Sequence, residues 1–337
     1  MNVSVVIPTY RRPEMLARTL ESVFRQTVPP FEILIGDDSP DDETEKMVER
    51  IARENTATPI GYFHHRPALK ELKNVDHLYS QVKGDLILHM HDDDPIFECC
   101  VEALRAPLLV EGDVVASFGL QRLIGENDAY LHEPEVVNEE YFRTPDRAGL
   151  VDGLQAAAIQ MFPNNGFMIR ADAARAVGYD DRGRSGYATD FYFGLRLGKL
   201  GRPFYFVDRY TSMVRMTESS QSRGNPDADN GYRSLRILHE DFPSFRETPL
   251  LEDAVRRNMP VAISQAAKLG DTARGWRWYF SEYHRDRITT LQGAKGALKL
   301  SWASLRKALG ARARPGFSAD VNAPAMNVPA SPRARGA

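Results

Sequence analysis

Residues 84–94 read GDLILHMHDDD: an apolar strand-like run, Asp85–His91, that stops on three successive carboxylates, Asp92, Asp93 and Asp94. Runs of the same kind recur on both sides of it. Asn2–Ile7 is short, β-branched and closed by Pro8. Phe31–Gly36 ends on Asp37-Asp38-Ser39-Pro40, and Pro59–His64 and Asp113–Leu120 complete the series. Helical patterns separate them. In Arg12–Gln26 the residues Met15, Leu16, Thr19, Leu20, Val23 and Phe24 share one face. Asp41–Asn55 has the acidic first turn that a helix dipole favours, and Ala68–Lys83 and Phe97–Val110 follow. Continuous apolar strands alternating with helices predict an α/β fold: a Rossmann-like, mostly parallel sheet flanked by helices. Ligands bind such sheets beyond the carboxyl ends of the strands. Thr9-Tyr10, Asp37-Asp38 and Asp92–Asp94 all stand at those ends.

Beyond Leu120 the pattern loosens. Residues 121–150 read as polar and irregular, Gly153–Phe162 as helix, Asn165–Ile169 as a return to the sheet. Tyr187–Leu200 reads as an amphipathic helix and Pro203–Arg215 as strand. Pro249–Leu309 is helical in pattern, and the Ala-, Pro-, Arg- and Ser-rich stretch from Gly310 reads as a disordered tail. A chain of 337 residues accommodates two domains or one domain with an appendage, and expected limits are 1–225, 226–310 and 311–337. The net charge of −3 gives no reason to expect a nucleic-acid partner. From Arg287 onward, however, nine Lys or Arg residues face one acid, Asp320, and Leu291, Leu298, Leu305 and Leu309 recur among them at helical spacing. That is the pattern of a basic amphipathic helix that touches an anionic membrane surface, or of a solvated helix packed on the main domain. The only cysteines, Cys99 and Cys100, are adjacent and poorly placed to bridge each other, which fits a reducing compartment. No secretory signal opens the sequence, and no run reaches the roughly 20 apolar residues that span a bilayer. The expected location is cytoplasmic, with peripheral placement at the inner face of a membrane if the basic helix engages lipid.

Three carboxylates in a row repel one another and raise one another's pKa, a penalty that a divalent cation removes. Oxygen ligands suit Mg²⁺ or Mn²⁺, which bridge carboxylates to phosphates. A competing pattern is His89-Met90-His91-Asp92-Asp93, the H-x-H-x-D opening of a binuclear metallohydrolase site using His89, His91 and Asp93; its next position is Asp94 instead of His, and the remaining donors would be His132, His239 or His284. Asp37-Asp38 can hold a ribose hydroxyl or a base N–H, or simply cap the helix that follows. Asp190, opening the 187–200 helix among aromatic residues, has the setting of a general base or of a plain helix cap.

Five segments taken together decide between these readings: SVVIPTYRRPEML at 4–16, ESVFRQT at 21–27, FEILIGDDS at 31–39, GDLILHMHDDD at 84–94 and ATDFYFGLRL at 188–197. In this order they resemble the family-2 glycosyltransferases, inverting enzymes of the GT-A fold that use nucleotide sugars, and the resemblance covers about residues 1–222. It implies that 1–225 form a GT-A-like catalytic domain, 226–310 a helical extension. It implies that Pro8, Thr9, Tyr10, Asp37 and Asp38 hold the nucleoside, Asp38 being the closer match to the base-contacting carboxylate, and that Lys73, with Lys70 and Asn74, lies near the diphosphate. Asp92 is assigned to ribose or sugar, Asp93 with Asp94 in support to a Mg²⁺ or Mn²⁺ ion (the literal alternative being Asp92-x-Asp94), and Asp190 in Thr189-Asp190 to the general base. His91 stands where the family's first motif carboxylate falls, and 216–222, where a later family segment carries a His, contain none. The implied reaction moves a sugar from a nucleoside-diphosphate donor to a carbohydrate or lipid-linked acceptor hydroxyl, as in polysaccharide or glycolipid synthesis. The non-enzyme alternative is a protein that binds a nucleotide sugar without transferring it.

Overall fold

The computed structural model describes residues 1–131, 134–179, 183–216, 229–242 and 249–310. The expected tail from 311, His132 and the 217–222 segment lie outside the described residues. The first half alternates as its sequence predicts: β1 (Val3–Thr9), α1 (Pro13–Phe24), β2 (Glu32–Asp37), α2 (Glu43–Glu54), β3 (Ile60–His64), α3 (Glu71–Gln81), β4 (Leu86–His89), α4 (Cys100–Val110) and β5 (Ala116–Ile124). It continues through α5 (Pro134–Glu140), β6 (Gly149–Val151), α6 (Gly153–Ala158), β7 (Phe167–Arg170), α7 (Ala171–Val177), α8 (Thr189–Gly198) and β8 (Phe204–Arg215). The eight strands make one sheet in the order β3-β2-β1-β4-β7-β5-β8-β6. β3, β2, β1 and β4 are mutually parallel, as are β5 and β8, while β7 runs antiparallel between β4 and β5, and β6 antiparallel beside β8.

The apolar runs are continuous because both faces of the central strands are covered. Val5, Ile7, Ile33, Ile35, Leu86 and Leu88 pack on one side with Leu16, Leu20 and Val23 of α1 and Val48 of α2. The alternate residues Val6, Leu34 and Ile87 pack on the other side with Val75, Leu78 and Tyr79 of α3. Gly36 lets β2 and α3 approach closely: a Cβ there would lie 1.9 Å from Asn74 Oδ1, and Asn74 Nδ2 donates to the Gly36 carbonyl at 2.8 Å.

Three expectations for the middle of the chain need correcting. β5 runs on to Ile124 instead of stopping at Leu120, and the 121–150 stretch holds α5 and β6 besides loops. The polar residues that made it read as irregular are structural: buried Gln121 Nε2 donates to the Asn165 carbonyl and Arg143 Nη1 donates to Gln121 Oε1. The helix expected over 153–162 ends at Ala158, and Gln160 takes a left-handed φ of 62°.

The C-terminal region folds as α9 (Asn230–Asp241), α10 (Pro249–Lys268), α11 (Thr272–Tyr279) and α12 (Leu291–Ala308). Its Leu235, Met259, Ala262, Trp278 and Leu300 belong to the same buried cluster as Phe118, Phe193 and Phe204 of the sheet side. The cysteines are unbridged: Cys100 is buried and its thiol pKa pushed up by that burial, and Cys99 is partly exposed. No helix among the described residues is long and apolar enough to cross a membrane.

Candidate functional site

β1 and β4 are parallel neighbours, with Val6 opposite His89, so the residues that follow them meet beyond the sheet's carboxyl edge. Thr9 Oγ1 donates to Asp92 Oδ2 at 2.8 Å across that edge. Arg12, just before α1, reaches back with Nη1 to Asp92 Oδ1 at 3.3 Å and Asp93 Oδ2 at 2.8 Å. Thr19 Oγ1 fixes the Asp92 carbonyl at 2.9 Å. Asp94 is held from two other elements: Asn165 Nδ2 donates to Oδ2 at 2.6 Å and the Arg215 backbone N–H to Oδ1 at 2.7 Å. The Arg215 guanidinium, fully buried, donates to the Asp93 carbonyl and the Gly125 carbonyl and pairs with Asp128 at 2.5 Å.

His91 is the cluster's internal cation. Its Nδ1 lies 3.3 Å from Asp94 Oδ2, and although burial pulls the other way, that bond together with the charges of Asp94, Asp190 and Asp93 lifts its pKa to about 10. Asp92 is pushed up to about 6 by burial and by Asp93, with Arg12, Thr9 and His91 opposing. Asp93 is raised by burial and by Asp94. Asp190 stands on the first turn of α8, its Oδ1 accepting the Tyr179 hydroxyl; burial raises its pKa, while His91 and Tyr179 hold it down. Glu71, opening α3, is exposed to solvent, yet the dense protein around it and the charge of Asp190 raise its pKa, and it also feels His91, Asp92 and Arg12. Thr9, Arg12, Glu71, His91, Asp92–Asp94 and Asp190 therefore share one electrostatic neighbourhood.

The second acidic tip lies one strand away, tied in by the Asp38 N–H donating to the Thr9 carbonyl at 3.1 Å. Asp37 is wholly buried; it accepts the Tyr62 hydroxyl at 2.5 Å and the Ser39 N–H at 2.8 Å. Asp38 accepts the Leu69 N–H at 2.9 Å, and burial raises its pKa. Pro8 lies within β1 beside Gly36, one residue before the strand ends at Thr9; Tyr10 is exposed beyond it, and Lys73 is exposed on the first turn of α3.

Among the described residues, His91, Asp93 and Asp94 offer one nitrogen and two oxygen atoms within 4.8 Å of one another. Two like charges crowded enough to raise Asp93, beside an imidazole that can give up its proton to a cation, form a donor set that suits Mn²⁺ or Mg²⁺, so the residues fit the expected ion. His89 does not join them. It is stacked between Phe167 and Tyr179 at 5.0 and 5.5 Å, its Nδ1 lies 3.1 Å from the Tyr79 oxygen, and burial lowers its pKa to about 3. The two rings of the H-x-H pattern do lie side by side, 6.0 Å apart between centroids, but His89 is taken up by Tyr79 and the aromatic stack and is not among the donors. His239 and His284 are bonded to backbone carbonyls in the C-terminal region.

Sequence reasoning missed Arg12, Glu71, His91 as part of the cluster, Asn165, Tyr179 and Arg215. Arg12 had a usable signal, since it follows the polar tip of β1 in the Tyr-Arg-Arg-Pro run.

The sequence profile described as Glycosyl transferase family 2 matches residues 4–177, just over half of the chain. A stretch of 103 residues is 24% identical to the GalNAc(5)-diNAcBac-PP-undecaprenol beta-1,3-glucosyltransferase of Campylobacter jejuni, covering 30% of this chain and 33% of that protein. The chain thus matches only a third or less of the length of its curated relatives. S. aureus TarS 1–349 superposes over 92% of both chains with a TM-score of 0.58 at 16% identity, and the same protein is known with UDP and with UDP-GlcNAc. The mannosyltransferase PcManGT from Pyrobaculum calidifontis, seen with GDP-Man and Mn²⁺, matches 92% of this chain and 87% of its own with a TM-score of 0.54 at 14% identity. The fold is the GT-A architecture of those proteins.

Proposed function

This chain belongs to glycosyl transferase family 2, and from that premise we propose that it is a glycosyltransferase that inverts the anomeric centre of a nucleoside-diphosphate sugar as it passes the sugar to an acceptor hydroxyl. The observation that carries the reading is the meeting of Asp92–Asp94, at the end of β4, with Asp190, at the start of α8, in one electrostatic neighbourhood. Pro8, Thr9, Tyr10, Asp37 and Asp38 flank the nucleoside, Lys73 lies toward the diphosphate, and Asp92 faces the ribose or sugar. Asp93 and Asp94 hold the Mg²⁺ or Mn²⁺ ion, with His91 at hand. When bound, such an ion offsets the charge that gathers on the departing diphosphate.

Asp190 does the proton chemistry. Its raised pKa gives a carboxylate basic enough to accept the acceptor's hydroxyl proton. The freed oxygen lone pair forms the new bond to the anomeric carbon as the bond to the diphosphate oxygen breaks on the opposite face, its electron pair leaving with the nucleotide. Arg12, fixed beside Asp92 and Asp93, keeps positive charge at the leaving-group side without reorganising at the moment of reaction. The UDP- and GDP-sugar complexes of the structural neighbours support a nucleotide-sugar donor. The undecaprenol-linked substrate in the Campylobacter relative's name supports a lipid-linked or carbohydrate acceptor, hence a place in polysaccharide or glycolipid synthesis.

The test is a panel of UDP- and GDP-sugars with Mn²⁺, read as release of nucleoside diphosphate. Asp190→Asn should lower transfer by at least a thousandfold and leave nucleotide affinity within a few fold. Binding without turnover in the wild type would instead establish a non-catalytic binder. Loss of nucleotide binding in Asp190→Asn would remove Asp190 from the base role.

A further inference from the structure

The last helix, α12, packs with one face and leaves an apolar stripe on the other. Leu300 is fully buried, with Ala297 and Ala303 packed around it, and Trp276 Nε1 donates to Ser304 Oγ at 3.2 Å. Gly293 makes the closest approach: a Cβ there would lie 2.1 Å from the Arg287 carbonyl oxygen. At about 100° per residue these positions lie on one side of the helix. Leu291, Leu298, Trp302, Leu305 and Leu309 fall on the opposite side within roughly 40° of a common line. Their exposures are 84, 71, 64, 50 and 73%. An ordinary surface helix turns polar residues outward, so an outward apolar stripe of this length is a face that none of the described residues covers.

We propose that α12 is an in-plane membrane anchor that seats this stripe in the surface of an anionic bilayer. Charge selects that occupant. Lys295, Lys299 and Arg306, all exposed, line one flank of the stripe, Lys299 also donating from Nζ to Ser264 Oγ at 2.6 Å, and α12 contains no Asp or Glu. A second copy docking by α12 would bring the same cations and no acid on that helix to meet them, whereas phosphatidylserine-type headgroups neutralise them. Trp302, mid-stripe, has the amphipathic ring that settles at the headgroup level. The helix is too short of apolar residues to span, and its two unlike faces fit a helix that lies in the interface. The anchor stands independently of the sugar-transfer reading, so either can fail alone.

The experiment is co-sedimentation of the full chain with phosphatidylserine–phosphatidylcholine vesicles and with pure phosphatidylcholine vesicles. The wild type should pellet with the anionic vesicles, less so as salt rises, and far less with the neutral ones. The triple variant Leu298→Ser/Trp302→Ser/Leu305→Ser should lose pelleting. Lys295→Gln/Lys299→Gln/Arg306→Gln should weaken it by about fivefold per charge removed. Both variants change exposed positions, and an unaltered melting temperature shows that they are folded. Wild-type protein that stays in the supernatant at low salt overturns the proposal. Pelleting unchanged by the apolar variant overturns it too, moving binding to the basic tail. A dimer that the apolar variant dissociates, with no pelleting, overturns it in favour of a second copy.

Discussion

Tyr179 hands Asp190 its hydroxyl hydrogen bond from eleven positions away, and that single contact sets a direction for the pH dependence of catalysis. Burial raises the Asp190 pKa, and Tyr179 is one of the groups that restrain it. As pH falls through that pKa, Asp190 takes up a proton and the proposed base is lost, so turnover should fall on the acid side. Tyr179→Phe keeps the buried ring and removes the restraint. Its acid limb should move to higher pH, with turnover near neutrality lower on the order of tenfold; a pH–rate profile superimposable on the wild type would sink the assignment. At this scale the sequence shows the carboxylates and little of what holds them. Asp92–Asp94 stand out as a run, but Asn165 and Arg215 grip Asp94 across 71 and 121 residues, and nothing in their local context marks them. His91 looked like a departure from a motif, and in three dimensions its ring lies 3.3 Å from Asp94, on the cluster that Arg12 also grips.

Among the elements, the contact between β2 and α3 is the most constrained. Gly36→Ala drives a methyl group into the Asn74 amide, which also loses its aligned bond to the Gly36 carbonyl. Expected is a destabilisation of roughly 1–3 kcal/mol, seen as a lower urea midpoint with an unchanged slope; no shift would show that α3 can slide freely. Central strands were legible because strands buried on both faces must be apolar throughout; their order in the sheet, with β7 antiparallel between β4 and β5, was not. The extension of β5 was hidden because Gln121 and Arg122 look like the end of a strand. Gln121 is instead buried and satisfied by Asn138, Asn165 and Arg143, a network that only the folded chain assembles.

Over the whole molecule, Glu240 on α9 draws three separate parts of the chain together. Arg184, Arg274 and Arg236 lie 2.7, 2.9 and 3.2 Å from its carboxylate. Burial, the largest single influence, pushes its pKa up, yet the three guanidiniums together bring it down to about 2 from an ordinary 4.5. A depressed carboxylate stabilises the fold fully above its unfolded pKa, and that contribution is lost as pH falls from about 4.5 toward 2. The melting-temperature gap between wild type and Glu240→Gln should therefore be widest above pH 5 and close with acid. The half-exposed setting keeps the gap to a few degrees, and a gap independent of pH would refute the linkage. The helical pattern of the C-terminal region was readable; its fusion into the sheet's own core was not, because one amphipathic face looks alike whatever it packs against. The adjacent thiols offer a practical gauge of the core on the sheet's other face, where Cys100 packs with α1 and the central strands. With Cys100 sealed inside and Cys99 partly open, the native protein should consume one equivalent of a maleimide quickly and the second only as the interior comes apart. Counting labelled sulfurs by mass spectrometry would then time the opening of the molecule, with no engineered probe needed.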